Sequence, residues 1–227
     1  MDIKWLGHSS LLVELGGRTL LFDPWLTPKD KHGDRLIAPA LLQQDLRKCD
    51  LLFVTHEHFD HCDNYDAAMI NSRTSCQVIA PQESLALLPG VNARSKVPVS
   101  QGDSFTLLGL DIQVTPAIHP QSINPVGYIV SSEREGKSIY FAGDTYDYHE
   151  MNSIDVDVAV LPIGGTFTMD VIAAISAARR IRAKYVIPIH YDTFAKIKTD
   201  VKDFEKRMNA LNKAKPIILG VGEQVSI

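Results

Sequence analysis

The sequence predicts an α/β protein in which two β-sheets pack face to face between outer layers of helices, a four-layer αββα sandwich. Many apolar runs are short and continuous, which is typical of strands that are covered on both faces. These runs recur in two halves of the chain, with amphipathic helical segments interspersed among them. A chain of 227 residues fits one large domain, so we assign residues 1–227 to a single domain.

The predicted strands are apolar runs bounded by turn residues. Runs at 10–15 and 19–22 flank the Gly16-Gly17 pair, which is a typical hairpin turn. The other predicted strands lie at 3–6, 51–55, 77–80, 111–115, 127–130, 138–142, 158–161 and 185–189. The pattern indicates a strand-rich chain whose turns are short.

Two amphipathic helices are expected in the C-terminal part of the chain. Thr168 is the expected N-cap of the first, with Asp170 in its first turn. Its predicted buried stripe contains Val171, Ile172, Ile175, Ala178 and Ile181. The second helix begins near Thr199 and Asp200, and its apolar positions are Val201, Phe204, Met208 and Leu211. Shorter helices are predicted near 63–70 and 82–88.

Composition and charge indicate a cytoplasmic globular protein. Hydrophobic residues make up 45% of the chain and charged residues 22%, and no segment approaches 18 uninterrupted apolar residues. The first residues lack the basic region and apolar stretch of a secretory signal. Cys49, Cys62 and Cys76 are an odd number without CxxC spacing, which favours free thiols in a reducing compartment.

Three histidines and an aspartate lie within six residues, directly after the apolar run at 51–55. They are His56, His58, Asp60 and His61. Imidazole and carboxylate groups suit divalent transition metals. Burying this much polarity at the end of a hydrophobic strand needs compensation, which a metal ion would supply. The segment therefore predicts a metal site.

Further side chains of ligand type follow other predicted strands. His119 ends the run through 114–118, Asp144 follows the run at 138–142, and His190 follows the run at 185–189. The carboxyl ends of strands gather the binding loops of open sheets. Each residue alone is weak evidence of a site, but together with the histidine cluster they predict one shared centre.

In these motifs the chain resembles the metallo-β-lactamase superfamily over essentially its full length. The matching residues are His56-x-His58-x-Asp60-His61, His119, Asp144 in Ala142-Gly143-Asp144-Thr145, His190 in Pro188-Ile189-His190, and Asp23 in Leu21-Phe22-Asp23-Pro24. Segments 6–10 and 162–169 look like those of a small single-domain branch of metal-dependent hydrolases, close to the ascorbate-phosphate lactonase type. The resemblance implies the metallo-β-lactamase fold and a hydrolase.

The resemblance also implies two divalent metal ions. It assigns His56, His58 and His119 to one ion, Asp60, His61 and His190 to the second, and Asp144 to a bridge between them. Zn or Mn is expected, with Fe or Ni as alternatives. A hydroxide shared by the two ions would then cleave an ester, lactone or phosphodiester bond of a small molecule.

Three residues are candidates for a catalytic or orienting role beside the metals. Asp60 is expected to be essential for turnover. Asp23 is expected to orient a ligand or its loop, although a turn-forming Asp before Pro24 is the alternative. His8 follows the first predicted strand and is expected to reach the cavity or a ligand.

Several loop residues have two interpretations at this stage. Segment 27–38 is a candidate lid with cations that could attract an anionic group, or a solvated loop. Those cations are Lys29, Lys31 and Arg35. The Gly164-Gly165 pair could present backbone N–H groups to a substrate anion or simply make a turn. Tyr191, Asp192 and Thr193 follow His190 and could line the cavity or pack within their loop.

Three other functions stay open. A nuclease acting on RNA or DNA would be expected to carry a clamp domain or a basic arm, and the net charge of −4 argues against it. An iron-dependent redox protein and a non-catalytic metal-binding module are the others. We expect a small-molecule substrate, anionic ones included, no nucleic acid and no membrane span. The oligomeric state stays open, with a homo-oligomer as one alternative.

Overall fold

Two seven-stranded β-sheets form the centre of the protein in a computed structural model, which describes residues 1–28 and 35–227. The first sheet contains β1 (Asp2–Gly7), β2 (Ser10–Leu15), β3 (Arg18–Phe22), β4 (Leu51–Phe53), β5 (Gln77–Pro81), β6 (Lys96–Val99) and β14 (Gln224–Ser226). The second contains β7 (Ser104–Leu107), β8 (Leu110–Pro116), β9 (Val126–Ser132), β10 (Lys137–Phe141), β11 (Asp155–Pro162), β12 (Arg182–Ile189) and β13 (Lys215–Pro216). Their orders are β14-β1-β2-β3-β4-β5-β6 and β13-β12-β11-β10-β9-β8-β7.

The helices connect the parallel strands of the two sheets. They are α1 (Asn64–Thr74), α2 (Gln82–Ala86), α3 (Val171–Arg180) and α4 (Val201–Leu211), with short 3₁₀ helices at Gln43–Asp45, Ala93–Ser95, His149–Ser153 and Ala195–Ile197. In each sheet one half is antiparallel and the other is parallel, with β3-β4-β5-β6 and β10-β11-β12-β13 as the parallel halves. The predicted αββα architecture and its repetition in two halves are therefore confirmed.

The main core lies between the sheets, and it reaches up to the carboxyl ends of the central strands. Phe22 of β3 stacks on Phe53 of β4 and on Phe141 of β10, with ring centroids 4.7 and 4.8 Å apart. All three rings are fully buried. Because Phe22 and Phe141 belong to different sheets, this stack fixes the two sheets together directly beneath the loops that follow these strands.

The predicted strands and the hairpin at Gly16-Gly17 are confirmed, and four strands were not predicted. Leu15 pairs with Arg18 across the turn, where both glycines have positive φ angles of 62° and 78°. The run at 51–55 ends as a strand already at Phe53, and the strand before His119 ends at Pro116. Strands β6, β7, β13 and β14 were missed because they are short, half-exposed or at an edge.

The prediction for α3 was wrong in two details. The cap is Asp170, whose side chain accepts a hydrogen bond from the Ala173 N–H at 2.8 Å, so Thr168 precedes the helix. Ile172 is 62% exposed, whereas Val171 and Ile175 pack half-buried against the core beside the buried alanines Ala174, Ala177 and Ala178. The α4 prediction is confirmed, with Phe204 and Met208 buried. No helix in the described ranges could cross a membrane.

Asp66 in α1 is buried under the segment that leaves the first sheet. Its carboxylate accepts hydrogen bonds from the N–H groups of Leu26 and Thr27, at 2.5 and 3.1 Å. Burial, followed by the neighbouring Asp63, raises the pKa of Asp66 from 3.8 to about 6. The folded protein thus holds this proton more tightly than the unfolded chain, so stability falls as the pH rises from about 4 to about 6.

We expect Asp66→Asn to remove this contribution to the pH dependence. The difference in unfolding free energy, variant minus wild type, should rise by about 2 kcal/mol from pH 4 to pH 7. Urea denaturation at the two pH values measures the change, and Asp103→Asn at an exposed turn serves as the control. Parallel changes in wild type and Asp66→Asn would show that the pKa of Asp66 is not raised.

Candidate metal centre

One cluster at the carboxyl ends of strands from both sheets contains every predicted metal ligand. Loops after β4 supply His56, His58, Asp60 and His61, and loops after β8, β10 and β12 supply His119, Asp144 and His190. The side chains form three overlapping groups, in each of which the candidate ligand atoms lie within 4.8 Å of one another. The groups are His56, His58 and His119; His8, Asp60, His61 and His190; and His56, His61 and Asp144.

The first group has the geometry of a three-imidazole metal site. His58 Nδ1 lies 3.1 Å from His56 Nε2 and 3.2 Å from His119 Nε2. Ligand nitrogens on a tetrahedral Zn²⁺ at bond lengths of 2.0–2.1 Å are separated by about 3.3 Å. Three ring nitrogens converging at this spacing cannot all be satisfied by one another, because each neutral imidazole has a single N–H group. The residues therefore fit a divalent metal ion.

Asp144 lies between two histidines of the other groups. Its Oδ1 is 3.4 Å from His61 Nε2, and its Oδ2 is 3.2 Å from His190 Nε2. Three of these atoms, His61 Nε2, Asp144 Oδ1 and His190 Nε2, are buried and have no hydrogen-bond partner among the residues that the structure describes. Unsatisfied buried polar atoms are costly, and a cation coordinated by them would remove the cost.

Asp23 fixes the orientation of one imidazole from each half of the cluster. Its Oδ2 lies 2.7 Å from His61 Nδ1 and accepts the Thr55 hydroxyl proton at 2.7 Å, while its Oδ1 accepts the Thr55 N–H at 2.8 Å. Thr55 Oγ1 is in turn 3.0 Å from His56 Nδ1. A carboxylate only accepts, so the His61 Nδ1–H donates to Asp23, and the Thr55 hydroxyl, which donates its own proton to Asp23, accepts the His56 Nδ1–H. Both Nε2 lone pairs then face the cluster.

His8 is fully buried and joins the cluster from the first strand. Its Nδ1 lies 2.6 Å from Thr193 Oγ1, and its Nε2 lies 3.1 Å from Asp60 Oδ2. Its carbonyl oxygen accepts the His190 N–H at 3.1 Å and the Trp5 indole N–H at 2.9 Å. Burial, followed by the His190 ring, lowers the pKa of His8 to about 3, so this imidazole is neutral.

Burial and mutual charge interactions shift the pKa values within the cluster. Burial, followed by the nearby His61 ring, lowers the pKa of His56 well below its usual value. Burial would raise the pKa of Asp144, but His190 and His61 outweigh it and hold that pKa well below its usual range. The pKa of Asp60 is lowered by the same opposition of burial and neighbouring rings, His61 first. Charged carboxylates and a neutral His56 are the forms that bind metals.

The pKa of His61 is shifted in the opposite direction. Burial would lower it, but the carboxylates of Asp144 and Asp23 outweigh burial and raise the pKa well above its usual value. The two carboxylates therefore favour positive charge on the His61 ring, Asp23 at Nδ1 and Asp144 at Nε2. A divalent cation bound there would replace the proton, as metal binding to imidazole generally does.

Unusual backbone conformations place several of these side chains. His8, Asp23 and His190 have positive φ angles of 55°, 42° and 57° at the ends of their strands, a region that is costly for side chains other than glycine. A Cβ atom on Gly143 would lie 2.7 Å from the Cβ of Thr55, and one on Gly164 would collide with the His190 carbonyl oxygen. Close backbone approach thus explains both glycines.

An aromatic wall borders the His8 side of the cluster. The Trp25 and Phe194 rings stack with centroids 5.4 Å apart, and the edge of Trp25 faces Phe59 at 5.9 Å. His8 makes edge contacts with Trp25 and Phe194 at 5.1 and 5.4 Å. The Arg35 guanidinium lies 3.9 Å from the centroid of the Trp25 ring. The aromatic wall therefore consists of apolar rings, with the Arg35 guanidinium packed on the Trp25 ring.

The structure corrects two of the loop interpretations. Arg35 is buried, and its guanidinium donates hydrogen bonds to the carbonyl oxygens of Trp25 and Ile37, so it anchors the loop instead of attracting an anion. Tyr191 is also buried and stacks on Trp5 of β1 at 5.2 Å, so its ring belongs to the main core. Lys29 and Lys31 lie outside the described residues. Cys62 is a buried thiol whose pKa is raised to about 12, first by burial.

Sequence reasoning missed the hydroxyl groups that hold the ligands. Thr55 lies two residues after the end of β4 and directly precedes His56, so its position beside a candidate ligand was visible but its contact with Asp23 was not. Thr193 contacts His8 across 185 residues of sequence. Trp25 and Phe194 meet over a similar distance. Such long-range contacts leave no periodic signal in one sequence.

Comparison with known proteins gives the same family from sequence and from structure. A family model for the β-lactamase superfamily domain matches residues 2–190. The UPF0173 metal-dependent hydrolase of Pyrobaculum aerophilum is 34% identical over 236 residues, covering 100% of both chains. The corresponding protein of Carboxydothermus hydrogenoformans is 35% identical over 238 residues, covering 99% of each.

A solved structure agrees over nearly the whole chain. Igni18, a metallo hydrolase from the hyperthermophilic archaeon Ignicoccus hospitalis, superimposes with a TM-score of 0.81 at 31% identity. The match covers 99% of this chain and 97% of that one. The fold, the converging ligand-type side chains and these relatives lead to one conclusion: the chain belongs to the metallo-β-lactamase superfamily and is a metal-dependent hydrolase.

Proposed function

We propose that the protein cleaves an ester, lactone or phosphodiester bond of a small molecule with two divalent metal ions, Zn or Mn. The observation that carries this proposal is the position of Asp144, whose two carboxylate oxygens face His61 and His190 at 3.4 and 3.2 Å. Asp144 also groups with His56 of the first proposed set and His61 of the second, the candidate ligand atoms lying within 4.8 Å of one another, so it neighbours both sets. A pair of ions held in this way suits hydrolysis better than a single structural ion would.

Seven side chains would hold the ions. The first ion would be held by His56, His58 and His119, the second by Asp60, His61 and His190, with Asp144 between them. When bound, such ions activate a water molecule as the nucleophile and polarise the scissile bond. Asp23 keeps protons on the Nδ1 atoms of His61 and, through Thr55, of His56, so that both Nε2 lone pairs stay directed into the cluster.

His8 is proposed as a positioning residue for Asp60. With the Thr193 hydroxyl donating to His8 Nδ1, the single N–H of the neutral ring lies at Nε2 and donates to Asp60 Oδ2. This contact leaves Asp60 Oδ1 for the second ion. His8, whose φ is positive, also links Asp60 to His190. Its side chain contacts Asp60, and its carbonyl oxygen accepts the His190 N–H.

A cytosolic location and a single functional domain complete the proposal. All three cysteines are free and buried, which fits a reducing compartment. Packing of Phe22 against Phe141 across the sheets supports one domain, because neither sheet buries its inner face without the other.

An activity panel tests the proposed function. Protein stripped of metal and reloaded with Mn or Zn is offered lactones, carboxylic esters and phosphodiesters. We expect one class to be hydrolysed, and Asp60→Ala to reduce kcat/KM by about 100-fold or more while the chain stays folded. His8→Asn, which cannot reach Asp60, should weaken binding of the second ion. The control is Asp111→Ala, at the opposite end of β8.

Three results would contradict the proposal. Full turnover by metal-loaded Asp60→Ala would exclude the assigned two-metal mechanism. Cleavage only of RNA or DNA would identify a nuclease. Visible absorption bands from bound iron, with oxygen-dependent turnover, would identify a redox protein.

A further inference from the structure

Exposed apolar side chains are concentrated around the metal centre. In the described part of the chain nine large hydrophobic side chains are exposed, and five of them lie on segments that carry or contact the candidate ligands. These five, which we call the apolar rim, are Leu36, Phe59, Ile118, Ile123 and Phe167, with exposed fractions of 63, 51, 46, 68 and 40%. Single exposed apolar residues are ordinary, but a cluster around one site indicates binding.

Two members of the rim lie beside the three-imidazole group. Ile118 directly precedes His119, and its N–H donates to the Thr145 hydroxyl at 2.9 Å. The Ile123 N–H donates to Glu57 Oε1 at 2.9 Å, and the same carboxylate accepts from Ser122 at 2.7 Å. Glu57 thus fixes the loop that carries Ile123 against the segment between His56 and His58.

The other members lie on the side of His190 and His8. Leu36 donates its N–H to the carbonyl oxygen of Thr193, the residue that contacts His8. Phe167 belongs to the loop after β11, in which Gly164 packs against His190 and the Met169 N–H donates to Thr145 O at 3.2 Å. Phe59 adjoins the aromatic wall of Trp25 and Phe194 described above.

From this placement we propose that the substrate carries an alkyl or aryl group of several carbons, which packs on the apolar rim while the scissile bond lies at the metal centre. The inference rests on the proposed function. The occupant is the apolar part of a small ester, lactone or phosphodiester, because the rim is continuous with the ligand-bearing loops. Its members come from four separate loops, each of which carries or contacts candidate ligands.

Binding of alkyl hydroxamic acids to the metal-loaded protein tests the proposal without requiring turnover. The hydroxamate head binds metal, and tails from two to eight carbons probe the rim. We expect Kd, measured by calorimetry, to fall about twofold to fourfold with each added methylene. Ile123→Ser and Phe167→Ser should each reduce this dependence on tail length while leaving the Kd of acetohydroxamic acid unchanged.

Leu108→Asn is the matched control, because Leu108 is 41% exposed at the far end of β8 and its φ of 53° suits asparagine. A Kd independent of tail length overturns the apolar substrate, as does a tail dependence that neither rim variant changes. Dissociation of an oligomer by Ile123→Ser, with tail dependence intact, would instead assign the rim to contact between copies of the chain. The proposed cleavage of an ester, lactone or phosphodiester fails separately, if the activity panel shows no turnover of these classes although hydroxamates bind.

Discussion

Asp144→Asn is expected to release the second metal ion and to weaken binding of the first, with kcat/KM falling to background. The asparagine keeps the shape of the side chain but removes the negative charge that His61 and His190 face at 3.4 and 3.2 Å. It also presents an amide NH₂ group to one of the two imidazole nitrogens, which would then be unable to coordinate a metal. Metal content per chain after gel filtration in metal-free buffer measures the loss.

Asp147→Asn is the matched control for this substitution. Asp147 lies three residues further along the same loop, where it pairs with Arg180 at 3.7 Å and accepts the Ser176 hydroxyl proton at 3.1 Å, away from the cluster. This variant should retain wild-type metal content and turnover. Two ions retained by Asp144→Asn would mean that Asp144 does not bridge the metals.

Asp23→Asn is expected to lower the affinity for metal by about 10- to 100-fold, although Asp23 itself is not a proposed ligand. The new amide can donate to His61 Nδ1, which would move the ring proton to Nε2 and direct an N–H into the metal position. The link through Thr55 would be disturbed as well, so His56 should also lose its fixed tautomer. Titration of metal-free protein with Zn²⁺ against a competing chelator measures both affinities.

A variant in the same sheet controls for the loss of a buried carboxylate. Asp50 accepts the Thr19 N–H at 2.8 Å at the opposite end of β4, so Asp50→Asn should change stability but not metal affinity. Metal affinity, and not the free energy of unfolding, is therefore the measurement that distinguishes Asp23→Asn from Asp50→Asn. Equal metal affinity for Asp23→Asn and wild type would remove Asp23 from the orienting role and leave it as a turn residue.

The sequence predicted the fold well where apolar runs and turn residues agree. The runs that became β2 and β3, with Gly16-Gly17 between them, had both signals. It predicted α4 correctly because Phe204 and Met208 lie on a single face. For α3 it wrongly included Ile172 in the buried stripe, since alanines such as Ala174 and Ala177, which are buried instead, do not stand out in an apolar pattern. Strand β6 was missed because it contains Pro98 and most of its residues are at least partly exposed.

The candidate site was predicted to a similar extent. Side chains of ligand type occur at the ends of several predicted strands, so the sequence supplied seven candidate positions, and the structure brings all seven into one cluster. The contacts that orient these side chains were not identifiable, because residues such as Thr193 and His8 are 185 positions apart in the sequence and meet only in the folded protein. Arg35 was misread, since a cation in a polar segment looks solvated until its carbonyl partners are known. The local sequence pattern thus indicates the candidate ligands, whereas the hydrogen bonds that hold those ligands are visible only in the tertiary structure.

The position of the cluster between the two sheets has a consequence for folding. One set of candidate ligands, such as His56, follows the first sheet, and another, such as Asp144, follows the second, so ions bound by both would form a removable cross-link between the halves of the chain. Neither half alone holds a complete set, so the cross-link would close only after both halves have folded and docked. Metal at about 1,000 times its dissociation constant would add roughly 4 kcal/mol to stability. The survival of newly made protein would then depend on the supply of metal during its synthesis.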